Sequence, residues 1–219
     1  PKSFEKNVPV LSGGFQIDSN NFSHLKKDAQ AIKNRYLNSV LYLDDRMGYL
    51  MERLRSAGRL EDTIVVIAGD HGEEFWEHGR FGHTFGLSNE QTEVTLFAHF
   101  PDTVESSYQI SSHEDLMPTL FDFMGVSIDA RRFMTGKSLL RYDPQRDWAL
   151  VSMGILMFQV QYEHMIVGSG MKVRFENTGP PKPLSVHDLE DNPLVSVDPS
   201  AVNDLLTQAL NSKTLLVGH

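Results

Sequence analysis

Apolar residues between Ser23 and Ala57 fall at positions 32, 36, 37, 40, 43, 47, 50, 51 and 54. These are helical intervals, and Gly58 stands where such a helix would stop. The pattern predicts one long amphipathic helix. After the turn "GRLEDT" comes "TIVVIAG" (63–69), β-branched and apolar at successive positions. Such a run predicts a strand covered on both faces, the usual condition of a parallel sheet. "VTLFAHF" (94–100), closed by Pro101, predicts a second strand. "SSHEDLMPTLFDFMGV" predicts a helix opening near Ser112–Asp115 and ending at Gly125.

Beyond about residue 147 the period changes. "WALVSM", "MFQVQYEHMIVG", "MKVRFENTG" and "LSVHDLE" are short alternating runs separated by Gly, Pro and Asn, which predict an antiparallel meander. "DPSAVNDLLTQALNS" predicts a last amphipathic helix, with Asp198 as cap and Pro199 at its first position. Residues 1–21 are turn-rich and read as surface chain. The expected architecture is α/β: three layers about a mainly parallel sheet over 1–146, then a small α+β appendage over 147–219.

Composition narrows the function. A formal charge of −9 without any extended Lys/Arg cluster argues against a nucleic-acid partner. With no cysteine there is neither a disulfide framework nor a thiolate site. No apolar run reaches the length of a membrane span, and nothing reads as a signal peptide.

The chemistry concentrates in "DHGEEFWEHGRFGH" (70–83), directly after the most apolar short run. In open α/β sheets, ligands bind beyond the carboxyl ends of strands. Asp70 and His71 stand at that point, and Gly69 and Gly72 allow the backbone to turn so that both reach one ion. Their mixed oxygen and nitrogen donors suit Zn²⁺ or Mn²⁺, and Ca²⁺ less obviously. His83, between Gly82 and Thr84, can return to the same cleft. Glu73, Glu74 and Glu77 read as solvated acids or turn hydrogen-bonders, and His78 as a structural hydrogen-bonder. His113 sits at a helix start, where it could simply cap.

The stretch "YLNSVLYLDDRMGYLMERLRSAGRLEDTIVVIAGDHGEEFWEHGRFGHTFGLSNEQTEVTLFAHFP" resembles the second half of a sulfatase-type domain of the alkaline phosphatase superfamily. The likeness continues through "SSHEDLMPTLFDFMGV", "TGKSLL" and "SVHDLEDNP", in order, over roughly residues 30–195. It implies that Asp70 and His71 are metal ligands. It implies that His83 touches the sulfate or phosphate oxygens, where many relatives carry lysine, and it places a histidine, His113, at a second substrate position. It implies a divalent metal cofactor, a sulfate or phosphate ester substrate, and a periplasmic or extracytoplasmic location, leaving open a membrane anchor upstream.

Two departures stand out. "EVTLF" replaces the family's "VPLI". The family's nucleophile, a formylglycine in C/S-x-P-x-R or a Thr or Ser in transferases, and its upstream acidic metal ligands have no counterpart here. The expectation is therefore a C-terminal part of a larger protein, completed by the upstream half of the same polypeptide and inactive alone. A sulfuric-ester hydrolase leads. A membrane-anchored phosphoethanolamine- or phosphoglycerol-transferase-like protein or phosphoesterase, and a non-catalytic lipid-binding member, are the alternatives.

Overall fold

The computed structural model describes residues 19–84, 86–102, 110–126, 134–141, 148–153, 163–176 and 182–217. The turn-rich reading of 1–21 falls mostly outside them, as does the first half of the run at 157–168. The chain divides into two compact units, Pro1–Val104 and Glu105–His219. The change of sequence texture puts a boundary at 146/147, within residues that lie outside those described.

In the first unit a 3-10 segment, Ser19–Asp28, leads into helix α1 (Ala29–Ser56). The backbone N–H of Ala57 closes the helix on the Arg53 carbonyl, and Gly58 takes φ 63°, which an L side chain rarely adopts. Strand β1 (Val65–Ala68) follows, then β2 (Glu74–Phe75), β3 (Phe81–Gly82), the short helix α2 (Asn89–Thr92) and β4 (Leu96–His99). The helix-then-strand order holds, and the molecule is α/β as expected.

The direction of pairing and the burial of β1 differ from expectation. β1 pairs with β4 antiparallel, from Val65 opposite His99 to Ala68 opposite Leu96. Among the described residues every ladder is antiparallel. The two strands also keep exposed faces, with Val66 36% and Phe97 66% accessible. A continuous apolar run shows that neither side of a strand is built for water; it carries no information about which way the neighbour runs. The same exposure marks α1, where Tyr36, Val40, Tyr42, Leu43, Tyr49 and Leu50 lie open and only Ile32 is buried.

The hairpin β2–β3 is anchored on the start of α1. Phe75 and Trp76 cluster with Ile32, against Leu25, Ala29 and Phe81. Trp76 stacks on Phe81 with centroids 4.5 Å apart, and Lys33 on α1 pairs with Glu77 in the hairpin turn.

In the second unit, Ser112 caps the turn His113–Asp115 that opens α3 (Leu116–Phe123), with the reciprocal Ser112–Asp115 bonds of a capping box. The meander is present as expected: β5 (Trp148–Met153), β6 (Glu163–Gly168), β7 (Lys172–Glu176) and β8 (Lys182–His187) form one antiparallel sheet in sequence order. Trp148, Ile166, Val173 and Phe175 bury one face against Val202, Leu206 and Ala209 of α4 (Pro199–Val217). Those α4 residues follow the 3.6-residue period of a helix with one apolar stripe. Asp198 caps α4 by accepting from the Ser200 N–H at 2.9 Å.

Candidate active site at the end of β1

The site starts where β1 runs out. The Gly69 N–H donates to the Thr95 carbonyl at 3.0 Å, so the β1–β4 ladder holds up to the residue before Asp70. The chain then bends at Asp70 and runs to Gly72. Its N–H donates to the Gln91 carbonyl at 2.9 Å, and a Cβ there would stand 2.0 Å from the Glu90 carbonyl oxygen. Only glycine lets the 70–73 backbone lie against α2 in this way.

Asp70 stands out into solvent, its side chain 90% accessible. One carboxylate oxygen accepts from the His71 N–H at 3.0 Å. The backbone amides of Asp70 and His71, then the His71 imidazole and more weakly that of His83, hold the carboxyl below the ordinary aspartate range. The other oxygen lies 3.7 Å from His71 Nε2. His71 Nδ1 meets the Gly72 carbonyl at 2.9 Å. A carbonyl can only accept, so Nδ1 carries a proton, and Nε2 is the ring nitrogen on the side of Asp70. An exposed carboxylate oxygen and a free imidazole nitrogen at this separation fit two ligands of one divalent ion, with the second ring nitrogen anchored as metal-binding histidines usually are.

His83 reaches the same place from the other side of the hairpin. Glu74 pairs with Gly82 and Phe75 with Phe81. One step further along that register, position 73 faces position 83. His83 Nδ1 lies 3.0 Å from Glu73 Oε2, and the His83 ring packs on the His71 ring with centroids 3.9 Å apart. Thr84 holds the following backbone at φ 72°. A β-branched residue stays in that region only when its surroundings impose it. Ligand atoms of His71, Glu73 and His83 all lie within 4.8 Å of one another.

Asp70 thus lies beside His71, and His71 beside His83, while the group of ligand atoms within 4.8 Å joins His71 and His83 to Glu73 and not to Asp70. His113 opens the turn before α3 in the second unit. His78 pairs with Glu90 at 2.9 Å, the structural contact expected of it.

Two acids are not solvated. Glu74 is the turn hydrogen-bonder of the two readings given for it, but fully buried. It accepts from the N–H groups of His78 and Arg80, the Ser88 hydroxyl and the Gln91 amide, tying the hairpin to α2. Glu73 is the partner of His83. The signal for both lay in the hairpin itself: once "EF" and "FG" are paired around "WEHGR", with Gly79 at φ 86° in the turn, positions 73 and 83 must oppose each other.

Comparison with known proteins bears on what such a cluster does. The sulfatase family model matches residues 6–126. An N-acetylglucosamine-6-O-sulfatase of Bacteroides thetaiotaomicron is 34% identical over 96 residues, covering 42% of this chain and 17% of that protein. A choline-sulfatase of Rhizobium meliloti is 26% identical over 125 residues, 56% of this chain and 24% of the other. The inner membrane protein YejM of Salmonella typhimurium is 25% identical over 148 residues, 66% and 23% respectively. A solved protein in complex with its substrate D-glucosamine-2-N,6-O-disulfate shares the fold, with TM-score 0.70 at 22% identity over 85% of this chain and 41% of its own. In each comparison this chain spans less than half the length of the other protein.

Proposed function

The chain belongs to the sulfatase family, and from that premise we propose that the protein it forms part of hydrolyses sulfuric esters with a divalent metal held in part by Asp70 and His71. The observation that supports this most directly is the meeting of an open Asp–His donor pair with a second histidine, His83, at the end of β1. A bound Mn²⁺, Zn²⁺ or Ca²⁺ would supply Lewis-acid polarisation of the ester and keep a nucleophile deprotonated.

The residues divide that work by their surroundings. Asp70 contributes the negative charge of a carboxylate that stands open to solvent. His71 contributes its Nε2, in a ring whose direction the Gly72 carbonyl fixes. His83 has Nδ1 engaged by Glu73, which leaves Nε2 as the ring atom for a non-bridging ester oxygen. Charge builds on such oxygens toward the transition state, and a placed donor there is worth more than in the ground state. His113 retains a substrate-binding role in this proposal on the family resemblance alone.

The nucleophile is assigned to residues outside this chain. The sequence holds no cysteine and no C/S-x-P-x-R, so a formylglycine would come from another part of the polypeptide, as would further acidic ligands. The chain alone is accordingly proposed to be inactive. We propose a periplasmic or other extracytoplasmic location. Among the described residues no helix is long and apolar enough to cross a membrane.

A membrane-anchored alternative is supported by the match of 66% of the chain to an inner membrane protein, and such a protein could act on phosphate esters or on none. Aryl sulfate and aryl phosphate supplied to the purified whole protein, before and after chelation, separate these. Sulfate turnover that is lost with chelator and returns with metal supports the proposal. Turnover of phosphate alone transfers the assignment to the phosphoryl reading, and turnover of neither to the non-catalytic one. Sulfate turnover indifferent to chelation would overturn the metal role.

A further inference from the structure

We propose that Glu73 is the positioning residue of His83: it accepts the Nδ1 proton, and so decides which ring nitrogen His83 turns toward the substrate. Three observations converge. The distance from Glu73 Oε2 to His83 Nδ1 is 3.0 Å, with both side chains partly shielded, 23% and 32% accessible. The hairpin register places positions 73 and 83 opposite each other, so the pairing follows from the backbone rather than from a chance rotamer. The strained φ of 72° at Thr84 fixes the chain on the other side of the histidine.

The chemical consequence follows from the donor inventory. A carboxylate offers only acceptors, so the facing Nδ1 must carry hydrogen. In a neutral imidazole without a partner the proton favours Nε2. Glu73 therefore reverses the default tautomer. With Nδ1 held by Glu73, Nε2 is the ring nitrogen left to face the ester. His71 carries the same tautomer by a different device, the Gly72 carbonyl. Both rings of the pair thus have Nδ1 anchored by an acceptor. The substrate half of this role rests on the proposed ester hydrolysis; the tautomer does not.

The test has one arm for each half. In the whole protein labelled with ¹⁵N-histidine, two-bond ¹H–¹⁵N correlation spectra report which nitrogen of His83 is protonated. Protonated Nδ1 in wild type, as neutral ring or imidazolium, is expected. A bare Nδ1 overturns the proposal without any variant being made. In Glu73→Ala the neutral ring should move its proton to Nε2, and an unchanged tautomer overturns it equally. On turnover, Glu73→Ala should lower kcat/KM by about 10- to 100-fold, as loss of an orienting partner does. The double variant Glu73→Ala/His83→Ala should lie within about twofold of His83→Ala alone, because Glu73 acts through the ring. Full additivity overturns the coupling. Metal content should survive Glu73→Ala. Its loss would make Glu73 a ligand beside His71 and His83, and the positioning role would fall. Wild type that turns over no ester but keeps Nδ1 protonated sinks the ester-hydrolase reading and leaves the tautomer assignment standing.

Discussion

Single side chains carry the sharpest tests. Asp70→Ala should abolish turnover and lower metal content together, because charge and geometry leave the site at once. His83→Ala should keep the metal and still reduce kcat/KM by about 2–4 kcal/mol equivalent, the range for losing one donor to a developing oxyanion. Metal analysis beside steady-state kinetics on both variants reads the difference; equal metal loss would turn His83 into a ligand. Glu74 makes a separate prediction, about stability. Its removal leaves four donors inside the hairpin–α2 junction without their acceptor. Unpaired buried donors cost about 1–3 kcal/mol each before relaxation, so Glu74→Ala should destabilise by about 3 kcal/mol or more in a denaturant titration. A loss below about 1 kcal/mol would mean that water replaces the carboxylate. Asp70, His71 and His83 were legible in the sequence because their chemistry is unusual at a strand end. Glu73 and Glu74 were not, because an acid looks solvated until the hairpin folds over it.

At the level of elements, the motifs "SSHEDLMPTL" and "TGKSLL" turn out to be two halves of one clip. Asp115, 1% accessible, accepts from the Ser112 N–H and the Lys137 N–H, both at 2.8 Å. Thr119 accepts from the Leu139 N–H at 2.9 Å. A Cβ on Gly136 would stand 1.7 Å from the Glu114 carbonyl oxygen. Asp115→Ala should therefore loosen 135–141 from α3, costing about 2–4 kcal/mol through two stranded backbone donors, with faster hydrogen exchange at Lys137 as the local signature. Asp122 adds a pH-dependent strand to the clip. Its Ser138 hydroxyl bond, then Arg141, hold its carboxyl below the ordinary value against the opposing effect of burial. A depressed folded pKa means that this contribution is complete above the unfolded aspartate value of about 4 and is lost as pH falls below it. The stability gap between wild type and Asp122→Asn should shrink on acidification through that window, and a gap constant from neutral pH into strong acid would contradict it. Helices and meander were readable from period alone. The clip was not, since it depends on backbone donors meeting side chains 20 or so residues away, which no periodicity encodes.

For the molecule as a whole, the sequence announced the α/β class and the antiparallel second sheet but not how β1 is paired or how open it is. Hydrophobic runs report the need for cover, and the cover can lie outside the residues that carry the run. The stripe on α1 is the plainest instance: Tyr42 and Tyr49 are each 59% accessible, beside Val40, Leu43 and Leu50. This has a colloidal consequence. The chain taken by itself carries a large sticky surface and a net charge of −9, which act in opposite directions on encounter between copies. The repulsion reaches only about a Debye length, ~8 Å at physiological ionic strength and ~3 Å in molar salt. Light scattering of the isolated chain should accordingly show mass rising with added sodium chloride, and Tyr42→Glu/Tyr49→Glu should suppress that rise; mass that falls with salt would place the contact among the charges instead.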